Sequence, residues 1–189
     1  MDRKQAIIDA SVKSFSLFGY KATTMDLVAK FASVGKGTIY TFFKNKEELF
    51  LECTNMMVKE MKSEAEAATD PNETFIQNAH RRLYRILEFR REHKFMIKLF
   101  QESREIGTPT VKSFIEQLED TIISYLRKDI EQAMERGEIK DCDPELTAFL
   151  ILHFYVSLII DWEKKHQPLK KEEIAELFKL YFLKGLSTR

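Results

Sequence analysis

Residues 24–49 read TMDLVAKFASVGKGTIYTFFKNKEEL, and two readings compete for the middle of this stretch. Gly35-Lys36-Gly37-Thr38 has the glycines, lysine and hydroxyl of a phosphate-binding loop. That loop needs G-x-x-x-x-G-K-[ST], with the hydroxyl directly after the lysine so that it reaches magnesium. Here Gly37 follows Lys36, position 30 is a lysine, and the upstream segment has helical spacing where a strand is required. The second reading is helical. Thr24 suits the N-cap of a helix from Met25 to about Ala32. Ser33-Val34-Gly35 makes a turn, and a short helix follows from Lys36 to about Phe42. Two helices across a short turn form a helix-turn-helix outline.

The pattern extends in both directions. Ile8, Val12 and Phe15 recur at i, i+4, i+7 and stop at Gly19, a residue suited to the position just past a helix. Downstream, Asn45 caps a helix from Lys46 to about Ala68, whose opening acids suit the helix dipole. Thr69-Asp70-Pro71-Asn72 breaks the periodicity and marks the boundary between a head and a body. Helices are expected over 75–91, 94–105 and 110–136. Asp143 and Pro144 then open an almost wholly apolar helix, with Asp143 as N-cap and Pro144 in the first turn. A last helix is expected over 171–186. The expected fold is all-α: a three-helix head (residues 1–46), a connecting fourth helix (46–68) and a helical bundle body (69–189), with about nine helices in all.

Composition agrees with this. The chain has 189 residues, 44% hydrophobic and 32% charged, with only 6 Gly and 4 Pro; scarce breakers favour long helices over many-turned β folds. Cys53 and Cys142 form no CxxC pair, so no disulfide framework or zinc-finger spacing can be built from them. No signal-peptide core opens the chain. The uncharged run Leu146–Ile160 is shorter than the roughly 20 residues of a bilayer span. A soluble, cytoplasmic protein without membrane contact is expected. Residues 1–46 hold eight bases and three acids, and the remainder holds 22 bases and 27 acids. A basic head on an acidic body points the head at a polyanion.

The residue types in the second short helix fit duplex DNA. The first residues of such a helix enter the major groove. Lys36 can donate to guanine acceptors or phosphate, and Gly37 lets the backbone come close. The hydroxyls of Thr38 and Tyr40 can donate to phosphate oxygens. Ile39 and Phe43 can anchor the helix to the head's core, and Lys46 can add a phosphate contact.

With these residues in register, Thr24 to Leu49 resembles the DNA-binding head of the TetR family of transcriptional repressors. The family pattern runs T-x-x-x-[IV]-A-x-x-A-G-V-S-x-G-T-[LI]-Y-x-x-F-x-x-K-x-x-L. The F-x-x-x-G-Y run at Phe15 to Tyr20 also matches. The likeness covers about residues 5 to 52. It implies phosphate contacts at Thr24, Thr38, Tyr40 and Lys46, base-facing positions at Lys36, Gly37 and Thr41, and a place near the DNA backbone for Tyr20. Three departures stand out. Ser33 replaces the usual turn glycine and must adopt a left-handed conformation. Gly35 replaces a capping serine. Phe42 stands where a polar ring is frequent, which shifts weight to Tyr40, Lys44 and Lys46.

The resemblance also implies a homodimer through the two C-terminal helices, a palindromic DNA operator and a small-molecule effector that releases it. The apolar side chains Phe89, Phe95, Met96, Phe100, Tyr125, Phe149, Phe154 and Trp162 can line an effector cavity for an apolar molecule or simply fill the core. No metalloprotease, hydrolase or dinucleotide-binding motif occurs. No catalytic residue, metal or cofactor is therefore expected. The competing reading is a helical lipid- or protein-binding dimer in which the helix-turn-helix is only structural.

Overall fold

A computed structural model describes residues 2–92 and 94–186. Among the described residues the regular structure is helical, without a β-strand. The helices are α1 (Arg3–Ala22), α2 (Met25–Ala32), α3 (Lys36–Tyr40), α4 (Lys46–Ala67), α5 (Phe75–Glu92), α6 (Lys94–Glu105), α7 (Pro109–Glu135), α8 (Pro144–Val156) and α9 (Lys171–Phe178). By packing, the chain falls into two units, Met1–Ser63 with Arg90–Ile115, and Glu64–Phe89 with Glu116–Arg189.

The first unit is built around aromatic rings. Phe15 lies 5.6 Å from Phe50 in an edge-on arrangement and 5.7 Å from Phe95 in a stacked one. Tyr20 meets Phe50 at 4.7 Å, and Phe114 meets it at 5.8 Å. Phe15, Phe50 and Phe95 are fully buried. Such pairs add about 0.5–1.5 kcal/mol each beyond area burial, so α1, α4 and α6 close on a single centre. Within α1 the helical path breaks at Gly19 (φ 81°, ψ 173°). The expected stop is present, with one further turn continuing to Ala22.

The helix-turn-helix follows the sequence closely. Thr24 caps α2 through Leu27 N–H (3.2 Å). Ser33 takes the left-handed conformation (φ 53°, ψ 41°), as the missing turn glycine requires. Gly35 caps α3 without a side-chain bond. The helix ends at Tyr40, two residues before the expected end. Phe42 and Phe43 both donate their N–H to the Ile39 carbonyl, which turns Phe43 into the core. Asn45 accepts from Glu48 N–H at 2.8 Å and so opens α4.

The second unit has its core at Phe75, Ile130, Ala133, Ile139 and Ala148. Ion pairs tie its surface, among them Arg82–Asp129, Arg85–Glu64 (2.6 Å) and Lys171–Glu88 (2.7 Å). Asp143 caps α8 as expected. Beyond α8 the helical path continues through a π turn (Ser157–Asp161) and a 3-10 turn (Trp162–Lys164), and α9 runs into a π turn at Lys179–Leu183. The run Pro144–Lys164 is long and apolar enough to cross a membrane by length and composition, with 28% of its apolar window buried. Leu146, Phe149, Leu150 and Trp162 on it, with Leu180 and Tyr181 from the last helical run, are exposed apolar side chains.

Candidate nucleic-acid interface

The five residues of α3 divide sharply. Ile39 is fully buried and Phe43 nearly so, and together they fix the helix to the first unit. Lys36, Gly37, Tyr40 and Thr41 are exposed. A Cβ placed on Gly37 would meet nothing within 4 Å. The fold itself therefore does not demand glycine at 37, and the missing side chain leaves this surface open to close approach. Tyr40 is 47% exposed, which leaves its hydroxyl open to an outside acceptor.

Each expected DNA-facing residue has a definite setting. Lys36 pairs with Asp26 of α2 at 2.7 Å, and this hydrogen bond raises its pKa. Thr41 donates its hydroxyl to the Thr38 carbonyl at 2.7 Å, leaving its oxygen free to accept. Thr38 is half-buried. Lys44 is exposed, and its N–H donates to Glu48 at 2.7 Å. The structure draws the remaining three, Tyr20, Thr24 and Lys46, around the turn before α2. Tyr20 is buried, its ring against Phe50. Lys46 donates to the carbonyls of Tyr20 (2.8 Å) and Thr23 (3.0 Å) and lies 4.2 Å from the Tyr20 ring centroid. Burial lowers its pKa.

Two residues that sequence reasoning passed over complete this region. Asp26 is the partner of Lys36. Glu102, on α6, accepts from the N–H groups of Tyr20 (2.6 Å) and Lys21 (2.9 Å). A signal was present: Phe95, Leu99 and Glu102 fall at i, i+4, i+7, so an acid occupies the apolar stripe of α6.

The eight candidate effector residues are divided between the two units. Phe95 is packed into the aromatic centre of the first unit, where Phe100 is also buried and Met96 half-buried. In the second unit Phe89 is buried, and Phe154 meets Phe178 and Phe182 at 5.0 Å each. Phe149 lies on His153 at 4.1 Å and Trp162 on His166 at 3.8 Å, and Tyr125 is partly exposed beside Arg82.

Comparison with known proteins agrees with this geometry. Residues 7–53 match the family described as bacterial regulatory proteins, tetR family. Residues 70–186 match the tetracyclin repressor-like C-terminal domain. The chain is 58% identical over 187 residues to the uncharacterised HTH-type transcriptional regulator YhgD of Bacillus subtilis (strain 168), covering 99% of this chain and 98% of that protein. It is 27% identical to the HTH-type transcriptional regulator AcrR of Shigella flexneri, over 96% and 90% of the two chains. Among solved structures it shares its fold with the fatty acid degradation regulator FadR from Bacillus halodurans (TM-score 0.77, 20% identity, 100% and 98% covered). It also shares it with AibR, solved in complex with isovaleryl coenzyme A and operator DNA (TM-score 0.73, 21% identity, 96% and 99% covered).

Proposed function

From the premise that the chain belongs to the tetR family of bacterial regulatory proteins, we propose that it is a ligand-released repressor that reads a palindromic operator as a homodimer in the cytoplasm. The class itself is plain: a helix-turn-helix transcriptional regulator, not an enzyme. That removes the reading in which the helix-turn-helix is only structural.

The division of α3 carries the proposal. Ile39 and Phe43 hold the helix from behind, while Lys36, Gly37, Tyr40 and Thr41 face outward. Lys36 and Thr41 address base edges, Gly37 admits the backbone, and Tyr40, Thr38 and Lys44 donate to phosphates. Thr24 caps α2 beside the DNA backbone. Tyr20 and Lys46 serve the interface from behind, by fixing the turn before α2. Residues 1–46 act as the reading domain and residues 69–189 as the effector and dimerisation domain.

Two identical heads match two half-sites about one helical turn apart, or a multiple. The exposed apolar side chains of the last two helical runs, Leu146, Phe149, Leu150, Trp162, Leu180 and Tyr181, support the dimer, since an uncovered patch of this kind marks an interaction surface. An apolar effector held by the body favours a spacing of the heads that no longer fits successive grooves, and must bind that state more tightly. The aromatic side chains around Phe154 are its proposed contacts.

The test is selection of binding sites from random duplex DNA, followed by Tyr40→Ala and Lys36→Ala. The first variant weakens binding to every sequence, and the second also changes the sequence preferred. Wild-type behaviour of both would overturn the assignment.

A further inference from the structure

Glu102 is almost fully buried (3% exposed) yet carries a carboxylate. Its oxygens accept three hydrogen bonds: from Tyr20 N–H (2.6 Å), from Lys21 N–H (2.9 Å) and from the Thr108 hydroxyl (2.8 Å). All four residues lie in the first unit. Burying a carboxylate is costly, and a well-packed apolar residue often stabilises a fold as much or more. What the charge supplies here is direction: it captures two successive backbone N–H groups of one short segment.

That segment is the run from Gly19 to Thr24 directly before α2. Its N–H side is held by Glu102, and its carbonyl side by Lys46, which donates to Tyr20 and Thr23. Thr23, buried, donates its hydroxyl to the Gly19 carbonyl at 2.7 Å. Thr24 then caps α2. The carboxylate also dictates the residue at 19. An added Cβ there would lie 2.4 Å from Glu102 Oε2, at a φ of +81° that disfavours any side chain. Gly19, Glu102 and Lys46 thus form one clamp, and the helices that meet DNA begin where it ends.

Building on the reading of this chain as a DNA-binding regulator, we propose that Glu102 is a positioning residue for operator recognition. Its carboxylate, through the Tyr20 and Lys21 amides, sets the angle at which α2 and α3 leave α1. Specific binding needs that angle, because base-edge contacts tolerate little displacement. Non-specific binding rests on surface charge and does not need it.

The experiment uses the full chain and two probes: a duplex that the wild-type protein selects from a random pool, and an unselected duplex of equal length. Glu102→Gln keeps size but turns an amide N–H₂ toward the backbone donors. It is expected to weaken binding to the selected duplex at least tenfold. Binding to the unselected duplex stays within about twofold, and the salt slope is kept. Glu102→Asp retains the charge with a shorter reach, and should recover part of the loss. If Glu102→Gln does not fold, Glu102→Asp is measured alone, with an expected loss of at least about threefold confined to the selected duplex. A folded variant that binds the selected duplex like wild type overturns the proposal, as does an equal loss on both duplexes. If wild-type protein selects no sequence at all, the reading as a sequence-specific regulator fails, whatever Glu102 does.

Discussion

The Lys46 ammonium sits 4.2 Å from the centroid of the Tyr20 ring and donates to the Tyr20 carbonyl at 2.8 Å. A cation held on an aromatic face and by two carbonyls is part of the fold. Lys46→Met keeps most of the stem but removes the charge. It is expected to lower stability by about 1–2 kcal/mol, the scale of one partly buried cation–π contact plus the lost hydrogen bonds. Chemical denaturation measures this. A lysine that served only a phosphate would leave stability unchanged.

Asp26 and Lys36 form an ion pair in which both side chains are largely exposed. Asp26→Asn frees the ammonium and removes a negative charge from the reading face. Binding to any duplex should tighten at low salt, and the slope of log K against log salt should steepen by up to about one unit. Titration by fluorescence anisotropy at several salt concentrations reads both quantities. Unchanged affinity and slope would show that Lys36 does not approach DNA.

Burial pushes the Cys53 thiol up to about 12, while Cys142 is only half-buried. A thiol reagent at pH 8 should therefore modify Cys142 first and reach Cys53 only on unfolding. The sign of the linkage follows. An acid whose folded pKa is raised contributes stability below its unfolded value near 8.5–9, and loses that contribution as pH rises toward 12. Wild-type protein should lose its advantage over Cys53→Ala across that window, as followed by denaturant midpoints. A constant difference would contradict the assigned burial.

Leu150 and Leu180 are about half exposed, at 46% and 53%. Glu at both positions should cost the folded chain little, yet turn the proposed dimer into a monomer in sedimentation and weaken binding to the selected duplex far more than stability. A dimer that persisted would place the interface elsewhere.

Much of this was legible in the sequence where one residue type has one local use. Thr24 as a cap, the α2 limits, the left-handed Ser33 and the break at Gly19 follow from backbone chemistry confined to a few neighbours. The early end of α3 was not legible, because it is set by Phe43 turning into the core, a tertiary effect. The π turns at Ser157–Asp161 and Lys179–Leu183 carry no Pro or Gly to announce them. The bonds of Lys46 to the Tyr20 and Thr23 carbonyls were not legible, because a sequence shows charge but not direction. Glu102 is legible as an acid on the apolar stripe of α6, but its main-chain partners are not, because the Tyr20 and Lys21 amides lie 82 and 81 residues away.

Gly37 gives the most direct test of the central claim that the exposed face of α3 reads DNA. Nothing in the fold lies within 4 Å of an added Cβ there, and alanine is favoured over glycine inside a helix by about 1 kcal/mol. Gly37→Ala should therefore raise the unfolding free energy by roughly 0.5–1 kcal/mol while weakening binding to the selected duplex at least tenfold. Stability and affinity moving in opposite directions is the predicted result. A Gly37→Ala protein that binds the selected duplex as tightly as wild type would contradict the account.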